Sequence, residues 1–294
     1  MTQSKNSSKP TVIITGANGF LGSELVIYYE SLQWNVIGLV RRPHSTTSPY
    51  TRYLSYDLSK EFDESIFKDA DYLIHTAYMK YDKKNPQAMQ VNINAANRLL
   101  AASRKHKLRK NIFISSMSSH EEAISVYGQQ KLAIEELFSE KNDVSIRSGL
   151  ILGKGGLYKQ MADHIKKRGI VPLVDGGRQP IQIIGVHDLV LIITLLLVKD
   201  ISGVITVAHP KTLTNKQFYE MIANKMHVKI RFIPVPFWLL RLVLKIADTV
   251  NVPLGVNEEN LLGLKALRAV DTNKDLHKIG IALKSPEEVI KGIA

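Results

Sequence analysis

The sequence predicts an α/β chain in which a doubly wound parallel sheet precedes a smaller, mixed α/β C-terminal lobe. Three observations predict it. Over roughly the first 150 residues, short β-branched runs alternate with longer amphipathic segments, the rhythm of βαβ units whose parallel sheet is covered on both faces. The first strand, Thr11–Thr15, runs straight into a glycine-rich turn, Gly16 to Gly22, and then into a helix. After Gly149 the rhythm loosens, with turns expected at 153–156 and 175–177. The expected divisions are a disordered tail at 1–10, a first domain at 11–150, and a lobe at 151–294 that partly returns to the main sheet.

Thr11–Thr15 reads as a buried strand from its β-branched content and the glycine that stops it. Residues 19–32 read as a helix, Asn35–Val40 as a second strand, 52–57 as a shorter one and 72–76 as a fourth. Asn85 and Pro86 are expected to cap and open a long helix reaching about His106, because asparagine suits the N-cap and proline the first helical position. Residues 111–115 return to strand, 125–139 to helix and 144–147 to strand. Farther on, 189–198 and 237–247 are apolar helices, 257–263 a helix, 265–271 an extended return, and Ser285-Pro286 opens a last helix. No internal repeat or low-complexity tract interrupts the pattern.

With 294 residues, 45% of them hydrophobic and 22% charged, the chain can bury a sizeable core and is not disordered as a whole. It has no cysteine, which excludes a disulfide scaffold, a cysteine nucleophile and a thiolate zinc site, and suits a reducing compartment. The nine histidines lack the paired spacing of a metal centre, so no metal is expected. A net charge of +12 favours anionic partners without choosing among them. The polar N-terminus is not a secretory signal, and the longest apolar run falls short of a membrane span, so a soluble cytoplasmic protein is expected. The basic run from Arg104 to Lys110 ends a helix, where cations complement the dipole; without interleaved aromatics it does not indicate nucleic acid.

The turn Gly16-Ala17-Asn18-Gly19-Phe20-Leu21-Gly22 has the spacing GxxGxxG. Placed between a first strand and its helix, it aims backbone N–H groups and the positive helix end at a pyrophosphate. Gly16 permits the tight turn, Gly19 lets the backbone approach the phosphate, and Gly22 allows close helix packing. The domain at 11–150 is thus expected to bind a dinucleotide. An acidic residue ending the second strand would select NAD. Here that strand ends in Val40-Arg41-Arg42-Pro43, and two guanidinium groups suit a 2′-phosphate, so NADP(H) is preferred and NAD(H) is the alternative.

Tyr127 and Lys131 form a YxxxK pair on one face of the helix at 125–139. An ammonium beside a phenol favours the phenolate, and a tyrosine so tuned exchanges protons with a hydroxyl or carbonyl. The order of motifs adds weight: the glycine turn, a strand ending in Ser115-Ser116-Met117-Ser118-Ser119, then Tyr127 and Lys131.

With this set the sequence resembles the short-chain dehydrogenase/reductase superfamily, and within it the extended NAD(P)-dependent epimerase/dehydratase branch, along nearly the whole chain. Residues 15–22 are close to that family's wording of the turn. Asp57-Leu58 is similar to its adenine-contacting pair, His75-Thr76-Ala77 to the segment beneath the cofactor, and Val91-Asn92 to a Val-Asn pair on a helix. Arg147-Ser148-Gly149 and Val186-His187-Asp188-Leu189 are similar to two further family segments, the first with its proline replaced and the second shortened.

The resemblance implies a Rossmann fold with a C-terminal substrate-binding lobe. It implies that Gly16, Asn18, Gly19, Phe20, Leu21, Gly22, Arg41, Arg42, Asp57, Leu58, Thr76, Ala77, Tyr127 and Lys131 hold the cofactor. By the same resemblance Tyr127 is the general acid/base, Lys131 lowers its pKa and bonds the nicotinamide ribose, and Ser116, or else Ser118, orients the substrate oxygen. The substrate class implied is a nucleotide-activated sugar, with epimerase, dehydratase and keto-reductase open. Met117 and Ser118 stand where a dehydratase would carry an acid and a base, which counts against dehydration. The gap from Ser116 to Tyr127 is shorter than in typical sugar-nucleotide epimerases. A homodimer is expected by resemblance.

Two histidines are given local roles: His75 as a packed or cofactor-adjacent residue, and His187 as the neighbour of Asp188, an N-cap or first-turn charge. The segment at 237–247 is apolar with Arg241 and Lys245 on one face. It is either a buried helix whose cations snorkel or a helix lying on an acidic membrane surface. The rival functional class is a non-catalytic NADP(H)-binding regulatory or membrane-peripheral assembly protein of the same fold.

Overall fold

A computed structural model describes residues 9–81, 85–249 and 258–293. The expected tail at 1–10 and the start of the helix expected at 257 lie largely or wholly outside the described residues. In chain order the elements are β1 (Thr11–Thr15), α1 (Phe20–Ser31), β2 (Asn35–Val40), β3 (Thr51–Ser55), β4 (Tyr72–His75), α2 (Ala88–Lys105), β5 (Lys110–Ser116), α3 (Val126–Leu137) and β6 (Asp143–Ser148). There follow β7 (Leu150–Leu152), α4 (Gly156–Arg168), β8 (Ile170–Val174), β9 (Pro180–Ile181), β10 (Ile183–Gly185), α5 (Val186–Val198), β11 (Gly203–Val207), β12 (Leu213–Thr214) and α6 (Asn215–Lys225). The last are β13 (Arg231–Val235), α7 (Phe237–Thr249), α8 (Glu258–Lys265), α9 (Asn273–Ile279) and α10 (Pro286–Gly292).

Seven strands form one sheet in the order β11-β6-β5-β4-β1-β2-β3. The pairings of β1 with β2, β2 with β3, β1 with β4 and β4 with β5 are all parallel. The chain winds outward from β1 through β2 and β3, then crosses back to β4 on the other side of β1. That reversal puts a crevice at the carboxyl ends of β1 and β4, where doubly wound sheets take ligands. Val12, Ile13 and Ile14 of β1 are fully buried, as a strand covered on both faces requires.

The chain divides into two compact units. One comprises residues 1–114, 133–146 and 193–205; the other comprises 115–132, 147–192 and 206–294. The first has a core in which Ile13, Ile37 and Leu73 of the sheet pack with Leu99 of α2 and Phe67. The second is built on Ile165, Val171, Leu173, Phe218, Ile222 and Ile290, with paired strands β7–β10, β8–β13 and β9–β12 around it.

Two expectations about elements need correction. The long helix does not open at Pro86. Residues 85–87 form an exposed turn in which the Ala88 N–H donates to the Asn85 carbonyl at 3.1 Å, and α2 starts at Ala88, the first fully buried position. The cap signal is local and worth about 1 kcal/mol; burial begins three residues later and decides the boundary. The extended return at 265–271 is instead short irregular chain leading into α9, a helix the sequence pattern did not reveal. The last helix begins as expected: Ser285 and Glu288 form a reciprocal capping box with Pro286 at the first position.

Candidate active site

In the first unit the turn after β1 is held by two backbone bonds. The Gly16 N–H donates to Leu39 O at 2.9 Å, and the Gly19 N–H to Gly16 O at 2.8 Å. Gly16 has φ +69°, a conformation that glycine adopts at no steric cost. A Cβ on Gly22 would lie 2.1 Å from Gly16 O, so only glycine lets α1 begin against the turn. Within α1 the Ser23 N–H donates to Gly19 O at 2.9 Å, and Gly19 contributes no side-chain cap. The N–H groups of Phe20, Leu21 and Gly22 precede that bond and have no intrahelical acceptor. With the positive end of the helix dipole and no acidic residue in the first turn, this donor set fits an anionic pyrophosphate.

The ends of β1 and β4 are tied together beside this turn. Thr15 Oγ1 is hydrogen-bonded to His75 Nδ1 at 2.7 Å and accepts the N–H groups of Thr76 at 3.2 Å and Ala77 at 3.1 Å. Thr76 Oγ1 donates to Thr15 O at 2.7 Å. His75 is buried and stacks on Phe113, ring centroids 5.7 Å apart. Asn92, also buried, accepts the Met79 N–H and donates to Met79 O, both at 2.8 Å, which fixes the segment after Ala77. Thr15 escaped the sequence reading; its signal was a hydroxyl closing an otherwise apolar strand just before the glycine turn.

Beyond β2, Arg41 and Arg42 are exposed, and no carboxylate ends the strand. His44 packs on Tyr53 with ring centroids 4.0 Å apart. Asp57 Oδ1 accepts the Ser59 N–H at 2.9 Å and its hydroxyl at 2.7 Å. Those bonds chiefly hold the Asp57 carboxyl below the usual range, with smaller contributions from the charges of Lys60 and Arg41. Arg41 therefore stands within electrostatic reach of Asp57. Leu58 is buried in the core of this unit, and its carbonyl accepts from Arg98 at 2.8 Å.

In the second unit Ser116, Tyr127 and Lys131 come together. Ser116 Oγ accepts the Ser118 N–H at 3.1 Å, and the Ser116 and Tyr127 hydroxyls are hydrogen-bonded. Lys131 is buried, with Nζ 5.8 Å from the centroid of the Tyr127 ring. The start of α3 is set by Ser125, whose hydroxyl accepts the Gly128 N–H at 3.1 Å, and by Glu259, which accepts the Val126 N–H at 2.7 Å. A Cβ on Gly128 would lie 2.4 Å from Ser118 O, so a glycine after Tyr127 lets the serine turn rest on the helix. Ser118 contributes that packed carbonyl, whereas Ser116 contributes the hydroxyl bonded to Tyr127. Tyr127 keeps part of its surface while its hydroxyl is enclosed. Burial pushes the phenol above its ordinary range, and the bond to Ser116 pulls it partly back.

The solved structures most similar to this fold include MoeE5 in complex with UDP-glucuronic acid and NAD, 18% identical, TM-score 0.75, covering 96% of this chain and 97% of that one. A UDP-N-acetylglucosamine 4-epimerase from Methanobrevibacter ruminantium M1 in complex with UDP-N-acetylmuramic acid is 20% identical, TM-score 0.74, covering 97% and 96%. A UDP-glucose 4-epimerase from Thermotoga maritima with UDP-glucose is 18% identical, TM-score 0.74, covering 96% of each chain. At these identities the likeness is one of fold. No curated protein matches the sequence. The sequence profile of the NAD dependent epimerase/dehydratase family matches residues 12–208, which takes in the glycine turn, the serine-rich strand end and the Tyr127–Lys131 helix. The chain belongs to the NAD-dependent epimerase/dehydratase family.

Proposed function

We propose that the chain is an NAD(P)-dependent oxidoreductase or epimerase acting at an oxygen-bearing carbon of a nucleotide-activated sugar. The observation that carries the reading is the Ser116–Tyr127 hydrogen bond, with Lys131 one turn farther along α3. When bound, the nicotinamide supplies a hydride or accepts one. Ser116 orients the substrate oxygen, and Tyr127 gives that oxygen a proton in reduction or takes one in oxidation. Lys131 sits one turn from the phenol, Nζ 5.8 Å from the ring centroid, and, by family resemblance, bonds the ribose. The enclosed phenol favours its neutral form, so the Ser116–Tyr127 pair stands ready as a proton donor, the role reduction needs.

The nucleotide-sugar assignment is supported by fold relatives solved with UDP sugars. Dehydration is disfavoured, because Met117 and Ser118 offer neither the acid nor the base that it would need. The cofactor-binding residues are Gly16, Asn18, Gly19, Phe20, Leu21, Gly22, Asp57, Leu58, Thr76 and Ala77, with Arg41 and Arg42 selecting NADP(H). The exposed guanidinium groups suit a 2′-phosphate, and no carboxylate ends the strand to hold a ribose hydroxyl.

The test starts with the protein as purified: it is denatured, any nucleotide released is identified, and stripped protein is titrated with NADPH and NADH. Tighter binding of NADPH, reduced at least tenfold in Arg41→Ala/Arg42→Ala with NADH unchanged, is expected. Stoichiometric NAD retained through purification would instead indicate an internal redox cycle of the epimerase kind. Turnover of a UDP-sugar that survives Tyr127→Phe unchanged would refute the proton-transfer role.

A further inference from the structure

α7 is apolar on two sides. Phe237, Leu240 and Leu244 pack with Val174, Leu261 and Leu264 of the second unit. The opposite side is bare: Trp238 is 67% exposed, Leu242 49% and Ile246 55%, with Leu239 and Val243 beside them. At about 100° per residue these five side chains fall within one arc of about 140°. Arg241 and Lys245 border that arc and are both oriented by Glu258, at 2.6 Å and 4.0 Å. A helix with apolar residues on both faces is normally covered on both.

The surroundings state what chemistry covers the second face. β13 leads into α7 through Pro236 and carries the exposed Arg231 and Ile233. Its Arg231 N–H donates to Gly169 O at 2.8 Å, next to the exposed run Lys166-Lys167-Arg168 that ends α4. Lys229 is exposed immediately before the strand. An exposed tryptophan with leucine, valine and isoleucine on one arc, cations along its border and more cations near by is the composition of a helix lying in a lipid headgroup layer. α7 has 13 residues, about 20 Å, too short for the ~30 Å hydrocarbon core of a bilayer. Among the described residues, no helix is long and apolar enough to cross a membrane.

We propose that α7 is a peripheral docking element for an anionic lipid bilayer. It inserts Trp238, Leu239, Leu242, Val243 and Ile246 at the headgroup boundary, while Arg231, Lys229 and Lys166 to Arg168 meet lipid phosphates. The proposal is independent of the cofactor and catalytic assignments.

The experiment is flotation of the full chain with phosphatidylcholine vesicles and with vesicles of equal phosphatidylcholine and phosphatidylglycerol, at 50 mM and 500 mM salt. Co-flotation with the anionic vesicles at low salt is expected, at least tenfold weaker at high salt or with phosphatidylcholine alone. Leu242→Glu/Ile246→Glu, whose side chains are solvent-facing, is expected to lose flotation at least tenfold while keeping its melting temperature and NADPH binding. The tryptophan emission of the wild-type chain, to which Trp34 and Trp238 both contribute, moves to shorter wavelength on adding anionic vesicles, and that of the double variant does not. Failure of the wild-type chain to float with anionic vesicles at low salt overturns the proposal. So does wild-type self-association that the double variant abolishes without any vesicle binding, since the covering surface is then a second copy.

Discussion

Replacing Gly22 with alanine adds one methyl group where the structure has no room for it. The new Cβ would stand 2.1 Å from Gly16 O, 2.8 Å from Gly16 C and 2.9 Å from Ala17 Cα, all backbone atoms. No side chain can rotate aside, so the turn and the helix start must separate by about 1.3 Å to restore an ordinary 3.4 Å contact. Overpacking of this kind costs about 2–3 kcal/mol, offset by about 0.5–1 kcal/mol of better helix propensity, for a net loss of about 1–2.5 kcal/mol. The same displacement moves the N–H groups of Phe20, Leu21 and Gly22 away from a phosphate. Loss of one hydrogen bond to a charged group, about 1.5–3 kcal/mol, weakens NADPH binding by about 10- to 100-fold. Urea denaturation and calorimetric titration measure the two effects. Gly263→Ala in α8 is the control: its nearest neighbour would be 4.0 Å away, so a gain of about 0.5–1 kcal/mol and unchanged binding are expected. A Gly22→Ala protein as stable as wild type that binds NADPH with wild-type affinity would refute the reasoning.

Three further outcomes are expected. Thr15→Val leaves the N–H groups of Thr76 and Ala77 without their shared acceptor and the His75 ring without its hydroxyl partner; a destabilisation of about 2–4 kcal/mol by chemical denaturation is expected, against under 1 kcal/mol for Thr15→Ser. The raised Tyr127 phenol predicts that reduction of a carbonyl substrate stays level from pH 6 to 9, while the reverse oxidation, which needs the phenolate, climbs throughout; opposite slopes in stopped-flow pH profiles would contradict the assignment. His209 is held below its usual pKa, chiefly by burial, and its Nδ1 accepts the Lys211 N–H at 3.1 Å, which needs the neutral ring. The unfolded chain therefore binds more protons below about pH 6.5, so stability present above that value falls as pH drops through it. His209→Asn is expected to flatten that fall in a series of melting curves.

Much of the candidate site was legible in the linear sequence because its chemistry is backbone chemistry. The spacing Gly16, Gly19, Gly22 reports a requirement for missing side chains, and the structure supplies the reason as backbone contacts of 3.0–3.1 Å and 2.1 Å at the Cβ positions. Tyr127 and Lys131 lie four residues apart on one helix, so a single period placed them together. Ser116 and Ser118 were harder to separate, since strand-end serines look alike in sequence. The turn that lays the Ser118 carbonyl against Gly128 and brings the Ser116 hydroxyl to Tyr127 depends on contacts ten and eleven residues apart, beyond the reach of a helix or strand period. The start of α2 at Ala88 likewise followed burial and not the Asn-Pro signal.

What the sequence by itself determined was the parallel sheet of the first half, the glycine turn and the order of the candidate site motifs, because each is encoded by short-range period or by residue type at fixed spacing. Tertiary structure alone decided that Thr15 clamps the end of β4, that His75 is tied to a threonine hydroxyl and a phenylalanine ring, and that burial raises the Tyr127 phenol. It also decided which face of α7 is covered, a question periodicity could not answer for a helix apolar on both sides. The physical reason is common to all four: desolvation and hydrogen-bond pairing depend on atoms distant in sequence, and no local pattern records them.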